Sequence, residues 1–330
     1  MQRQQQISAW LHSLFPGEKF TLAAASADAS FRRYFRATFS DRTLIVMDAP
    51  PQHEDCRPFL HVAQLFAQAG THVPQVYAQN LEQGFLLLSD LGNTTYLQAL
   101  NDATARALYD AATDALIKIQ LATRENELPE YDQALLLREM RLFPEWYIAR
   151  HLGVTLSDAQ HAKLETVFAR IAANNLAQPR VYVHRDYHSR NLMVSDPNPG
   201  ILDFQDAVYG PITYDLASLF KDAYIRWEEA QVIDWLIRYW EKARKVGLPV
   251  QDDFSAFYRD YEWMGVQRHL KVLGIFARLS HRDGKDGYLK DLPLVMGYLR
   301  AACTRYIDLK PLLNLLDVLE PQNSQVGYTF

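Results

Sequence analysis

Over the first ninety residues apolar side chains alternate with polar ones in short runs. Beyond residue 95 they recur at three- and four-residue spacing, so a strand-rich beginning precedes a helical remainder. The polar opening, residues 4–15, reads as a short helix. Strands are expected at 20–23, 33–39 and 43–47, with Ser40-Asp41-Arg42 turning the last two. Residues 54–69 have helical periodicity through Phe59, Val62, Leu65 and Phe66 and stop at Gly70. Strands at 75–79 and 84–89 complete a small antiparallel sheet with one helix. The helical remainder is interrupted once, where 180–184, 192–194 and 200–202 read as short strands of a tight hairpin that delivers Asp203. The expected fold class is α+β in two lobes. A sheet-and-helix lobe spans 1–90 and a large, mainly helical lobe spans 91–330, joined near Asp90-Leu91-Gly92.

Composition narrows the setting more than the chemistry. With 330 residues and 48% hydrophobic content the chain can bury a large core. A charged fraction of 22% and a net charge of −5, without a basic tract, argue against nucleic acid as a partner. The N-terminus lacks the apolar core of a signal peptide, and no apolar run reaches the roughly 18–20 residues that a bilayer requires. Cys56 and Cys303 form neither a disulfide framework nor a metal motif. The cytoplasm, where ATP is available, is the expected compartment.

The chemistry lies in His184-Arg185-Asp186-Tyr187-His188-Ser189-Arg190-Asn191, followed twelve residues after Asn191 by Asp203-Phe204-Gln205. Phosphoryl transfer needs a carboxylate to orient the acceptor hydroxyl, and an amide and a second carboxylate to hold the metal ions that bridge the phosphates. Asp186, Asn191 and Asp203 supply these groups at the spacing of the loop H-R-D-x-x-x-x-N and its downstream D-F-x. Taken singly, each could be a polar residue capping a turn; together, on alternating apolar segments, they describe a kinase-type site using ATP and Mg²⁺.

Two residues after the aspartate a protein kinase usually carries Lys, and this chain has His188. In this the loop resembles the H-G-D-x-H-x-x-N of the aminoglycoside phosphotransferase and choline kinase superfamily, which phosphorylates small-molecule hydroxyls on a protein-kinase-like fold. The segment from Asp203-Phe-Gln-Asp206 through Gly210-Pro211 to Tyr214-Asp215-Leu216-Ala217 is similar to that superfamily's D-x-x-D-A-x-x-G-D-P-x-x-D-L-A, although G-D-P has become Gly210-Pro211-Ile212. The resemblance implies that His188 contacts phosphate or acceptor, and that Asp215 braces the catalytic loop through backbone hydrogen bonds. The stretches Ala27-Asp-Ala-Ser-Phe-Arg-Arg-Tyr-Phe-Arg36, Val46-Met-Asp-Ala-Pro-Pro51, Phe143-Pro-Glu-Trp-Tyr147 and Gln267-Arg-His-Leu-Lys-Val272 resemble one branch, the bacterial cell-wall-recycling amino-sugar kinases. That likeness implies phosphorylation of N-acetylmuramate and N-acetylglucosamine at the anomeric hydroxyl. Kinases for an aminoglycoside, choline or another small alcohol remain alternatives, as does an inactive kinase-fold binding module.

Within this frame the nucleotide contacts are expected on the first strands. Ser30, with the small residues around it, would cover phosphate in place of a Gly-rich loop. The phosphate-binding Lys should sit near Met47 or Asp48, and neither can serve, so Arg32 or Arg33 would take over unless each is a solvated surface charge. Glu54 is either the acid that pairs with that cation or a helix N-terminal carboxylate. Leu88 lies in a segment expected to read adenine through its main chain. For the acceptor, Glu145 and Trp146 combine a carboxylate with an aromatic wall. Arg268, Lys271, Arg278 and Arg282 fall near one helical face, which is either solvated or supplies a cation, Arg268 first, for a substrate carboxylate. Residues 91–330 carry 27 Lys+Arg and 31 Asp+Glu, too nearly neutral to attract polycations, so a neutral or anionic acceptor is expected.

Overall fold

The computed structural model describes residues 2–26 and 31–321. In chain order the strands are β1 (Thr21–Ser26), β2 (Arg33–Thr38), β3 (Thr43–Asp48), β4 (Val76–Asn80), β5 (Phe85–Ser89), β6 (Arg180–Val183), β7 (Leu192–Met193), β8 (Gly200–Ile201) and β9 (Val208–Pro211). The α-helices are α1 (Gln2–Leu14), α2 (Arg57–Gln68), α3 (Tyr96–Ala99), α4 (Ala105–Leu121), α5 (Gln133–Met140), α6 (Asp158–Leu176), α7 (Tyr214–Phe220), α8 (Glu229–Lys245), α9 (Phe254–Asp283), α10 (Leu292–Arg305) and α11 (Lys310–Leu319). Residues Phe143–His151 form a π-helix, and Asp286–Asp291 and Ile307–Leu309 are short 3-10 helices. Among the described residues no helix is long and apolar enough to cross a membrane. The chain falls into two compact units, Met1–Ala122 with Arg190–Ala207, and Thr123–Ser189 with Val208–Phe330. This division is drawn elsewhere than at residue 90, because α3, α4 and residues 190–207 stay with the first unit.

The first unit is built on an antiparallel sheet of order β1-β2-β3-β5-β4. Period-two alternation puts Ala37, Leu44, Val46, Phe85 and Leu87 on one face, where Ile7 and Leu11 of α1 cover them together with Phe39. On α2, Phe59 and Phe66 hold the ring of Phe204 at centroid distances of 4.8 and 5.8 Å. Phe204 is fully buried, a contribution of about 2–3 kcal/mol that pins its neighbour Asp203. β7 and β8 pair Leu192 with Ile201 and Met193 with Gly200.

In the second unit β6 does not join the expected hairpin. It pairs instead with β9, Val183 opposite Val208 and Arg180 opposite Pro211. The sequence hid β9 because Gly210 and Pro211 read as turn residues. Gly210 is required there, since an added Cβ would lie 2.7 Å from the Tyr131 side chain. The longest helix, α9, is capped by Asp253, whose carboxylate accepts from the Ser255 and Ala256 amides, and ends at Gly284 with φ +65°. From Tyr261 to Gly274 every residue of α9 is buried, including Glu262, Gln267, Arg268, His269 and Lys271. A helix buried on all sides must find partners for such groups inside the protein.

Candidate active site

β6 runs into the loop that carries Asp186. The amides of His184 and Arg185 donate to Asp215 Oδ2 and Oδ1 at 2.7 and 3.0 Å, so the first turn of α7 grips the loop by its backbone. These are the bracing bonds that the family resemblance implied for Asp215. Burial pushes the Asp215 carboxyl up to about 7, against the two amide bonds that favour its ionised form. Arg185 is held at φ +75°, a costly conformation for a branchless but bulky side chain, and it persists because the loop is tied on both sides. Beyond the loop, the Ser189 amide donates to Asp222 Oδ2 at 2.9 Å, and the buried His188 ring meets Tyr224 edge-on at 5.5 Å.

The Asp186 carboxylate is half-buried. Burial works to raise its pKa, but the charges of Lys271, His188, Arg268 and Arg185 outweigh burial and hold it below the ordinary carboxylate range. Two of those cations share one counter-ion. Glu139, buried on α5, accepts from Arg185 Nη2 at 2.5 Å and from Lys271 Nζ at 3.0 Å on Oε1. Its Oε2 accepts from Gln267 Nε2 at 3.0 Å and from the Tyr131 hydroxyl. Lys271 also donates to the Tyr214 hydroxyl at 3.0 Å. Burial pushes Glu139 up, yet the two cations and the hydrogen bonds bring it down to about 2. The sequence did not single out Glu139, Gln267 or Asp222. A signal for the first existed: Leu136, Glu139 and Met140 share a helical face, and that face is buried.

Asn191 and Asp203 stand at the open end of the β7–β8 hairpin. The ladder continues one step through Leu202 N–H to the Asn191 carbonyl at 2.9 Å, which sets the two side chains beside each other. Asn191 Nδ2 donates to Asp203 Oδ2 at 3.3 Å, and Gln205 Nε2 donates to Asp203 Oδ1 at 2.9 Å. Asp203 is itself at φ +62°. This pair fits a magnesium ion. The amide oxygen of Asn191 and the Asp203 carboxylate are hard donors, Mg²⁺ commonly takes one or two protein ligands and completes its shell with water and phosphate, and Gln205 Oε1 is buried beside them without a hydrogen-bond partner among the described residues. Among the described residues no group of three or more His, Cys, Asp or Glu side chains could hold a metal ion.

The nucleotide candidates separate. Ser30 lies outside the described residues. Arg32 Nε donates to Glu54 Oε2 at 3.1 Å, the cation–acid pairing considered for these positions, and the neighbouring rings of Phe31 and His53 stack at 4.6 Å. Arg33 is committed elsewhere. Its Nε and Nη2 reach Asp48 Oδ2 at 3.1 and 2.5 Å, while Arg3 Nε takes Asp48 Oδ1 at 3.0 Å. Asp48 is fully buried between two guanidinium groups, which is what occupies the place of the missing Lys. Leu88 is paired on both sides, with Ile45 and Val76, so its main chain serves the sheet. The Ser89 amide is also used, by the Gln75 carbonyl, and the first position past the ladder is Asp90, which clamps Arg36 at 2.6 and 3.0 Å.

Of the acceptor candidates, Glu145 is exposed and Trp146 half-buried on the π-helix. The basic face on α9 is buried at Arg268 and Lys271 and solvated only towards its end. Arg268 and Lys271 are 4% and 8% exposed, whereas Arg282 turns to Asp283 at the surface. Lys271 is neutralised by Glu139, but Arg268 Nε and Nη1 have no hydrogen-bond partner among the described residues.

Residues 21–249 match the APH phosphotransferase enzyme family. The chain belongs to this family. Relatives within it include the N-acetylmuramate/N-acetylglucosamine kinase of Pseudomonas aeruginosa, 52% identical over 334 residues that span 98% of each chain. The protein of that name from Neisseria meningitidis is 50% identical over 336 residues, all of both chains. Among solved structures, choline kinase LicA from Streptococcus pneumoniae superposes with a TM-score of 0.64 at 13% identity, over 91% of this chain and 100% of that one. The ADP-bound aminoglycoside phosphotransferase APH(2'')-Ib gives 0.58 at 15%, over 89% and 97%. At such identities these phosphotransferase structures establish the kinase-like α+β fold.

Proposed function

We propose that this chain is an ATP-dependent kinase that phosphorylates N-acetylmuramate and N-acetylglucosamine at the anomeric hydroxyl, in peptidoglycan recycling. The observation that carries the reading is the 50–52% identity, across nearly the whole chain, to proteins named for those two sugars. ATP as donor is supported by the ADP and AMP in structures of the same fold.

Asp186, kept ionised by the surrounding cations, accepts the hydrogen bond of the anomeric O–H and takes its proton as the oxygen attacks the γ-phosphorus. The new O1–P bond forms as the bond from phosphorus to the β,γ-bridging oxygen breaks, and ADP leaves with that electron pair. An anomeric hydroxyl is more acidic than an ordinary sugar alcohol, so a carboxylate that mainly orients it is a sufficient base. Asn191 and Asp203 would hold Mg²⁺, which supplies neutralisation of the phosphate oxygens. Arg32, positioned by Glu54, pairs with nucleotide phosphate, leaving Arg33 to its structural bond with Asp48. The base is read by main chain following Ser89, Leu88 being taken up in β5. His188 lies two residues from the base and contacts the transferring group or acceptor, and Trp146 and Glu145 offer a wall and a polar contact to the sugar.

A coupled ADP-release screen over amino sugars, aminoglycosides and choline tests the reading, with Asp186→Asn as the control. The two named sugars should be turned over. The Asn variant should lose about 10²–10⁴-fold in kcat, the usual worth of base assistance, with ATP binding retained. Turnover of aminoglycosides but of neither sugar would overturn the acceptor. An Asn variant within a few-fold of wild type would remove Asp186 from its role.

A further inference from the structure

Buried cations in the second unit are matched with care. Lys271 has Glu139 and Tyr214, Arg185 has Glu139, Lys221 has Glu262, and Arg300 has Asp317 with two backbone carbonyls. Arg268 breaks the pattern. It is 4% exposed, in the fully buried stretch of α9, and its Nε and Nη1 hydrogens are unbonded among the described residues. Two N–H groups of a buried guanidinium left unbonded are a standing cost to the fold, which a ligand that completes them would offset. The position of Arg268 says which ligand. Its neighbour Gln267 donates to Glu139, which also accepts from Arg185, the residue before Asp186. This turn of α9 therefore packs at the loop that meets the acceptor hydroxyl, and the charge of Arg268 acts on Asp186 and Asp215 accordingly.

We propose that Arg268 receives the carboxylate of an anionic acceptor, and thereby sets the preference for N-acetylmuramate over N-acetylglucosamine; this rests on the proposed sugar-kinase function. The two sugars differ at C3, where the first carries a lactyl ether ending in a carboxylate and the second a hydroxyl. C3 is separated from the reacting anomeric carbon only by C2. A cation that meets the lactyl carboxylate must therefore stand close to the group that meets the anomeric oxygen, as Arg268 stands to Asp186. The unbonded Nε–H and Nη1–H of Arg268 point to different sides within the guanidinium plane, and either can donate a charge-assisted hydrogen bond to a carboxylate oxygen. The guanidinium also offsets the repulsion that a second carboxylate would meet next to an ionised Asp186. Lys271, one turn further along the same face, cannot take this part because Glu139 already neutralises it.

The test is Arg268→Met, which keeps bulk and removes the charge. It is read as the ratio of kcat/KM for N-acetylmuramate to that for N-acetylglucosamine, with the melting temperature measured alongside. Truncating one side of a desolvated charge pair should lower that ratio by roughly 30- to 1,000-fold. The carboxamide of N-acetylmuramate should show a loss of similar size with the wild-type enzyme. The melting temperature without sugar should stay level, since the removed Nε and Nη1 groups hold no hydrogen bond among the described residues. An unchanged ratio, from equal losses on both sugars or none, would overturn the assignment. So would a marked fall in melting temperature, which would reveal a structural partner. A wild type that turns over neither sugar would instead sink the sugar-kinase function on which the proposal rests.

Discussion

Glu139→Gln is the most informative single perturbation of the site's supports, because it changes charge with little change of shape. In the native protein the Glu139 carboxyl is brought from 4.5 down to about 2 by Lys271, Arg185 and the Tyr131 hydroxyl, in spite of burial. At about 1.4 kcal/mol per unit, the ionised form is favoured in the folded state by roughly 3 kcal/mol. A buried pair broken on one side costs a similar amount, about 3–5 kcal/mol. Urea unfolding at pH 7 should therefore show the variant less stable by about 3 kcal/mol. The sign with pH follows from the depressed value. The contribution is present above the unfolded value of 4.5 and is lost as pH falls through about 2, so the gap between wild type and variant should narrow over that window. Catalysis should respond through Asp186. Without its counter-ion, Lys271 acts more strongly on Asp186, so kcat should fall while KM for ATP holds. A variant as stable as wild type at pH 7, or a gap that does not narrow on acidification, would refute the reasoning.

Two further outcomes follow from the geometry. Asp203→Ala should steepen the Mg²⁺ requirement and weaken ATP, measured by isothermal titration with and without the ion, since one of two hard donors is lost. Gly274→Ala should destabilise the fold in thermal melting, because its new Cβ would lie 2.4–2.5 Å from the Leu142 backbone where α9 meets the entry to the π-helix; overpacking of this kind costs about 1–3 kcal/mol.

What the sequence made legible was local. Alternation placed the five strands of the first sheet within three residues at either end, and the short apolar runs at 192–194 and 200–202 gave the hairpin that sets Asn191 and Asp203 beside each other. What it hid were groups whose partners are distant in the chain. Arg185 and Glu139 are 46 residues apart, and Gln267 and Glu139 are 128 apart, so no window could link them. Burial of Arg268 and Lys271 was hidden for a related reason. Helical spacing gives a face but not what covers it, and a stripe of cations looks solvated until the carboxylate that neutralises one of them is known. At Asp48 the sequence declared the missing Lys, but only the fold brings Arg3 and Arg33 to that carboxylate. Leu88 was expected in a segment that reads adenine through its main chain, and its pairing with strands on both sides was not visible in the sequence.

The central claim is transfer of phosphate to the anomeric oxygen, and the most direct measurement is proton-coupled phosphorus NMR of the product formed from N-acetylglucosamine and ATP. The expected result is a 1-phosphate, whose phosphorus couples to the anomeric proton. A product whose phosphorus couples to the C6 methylene protons instead, a 6-phosphate, would contradict it.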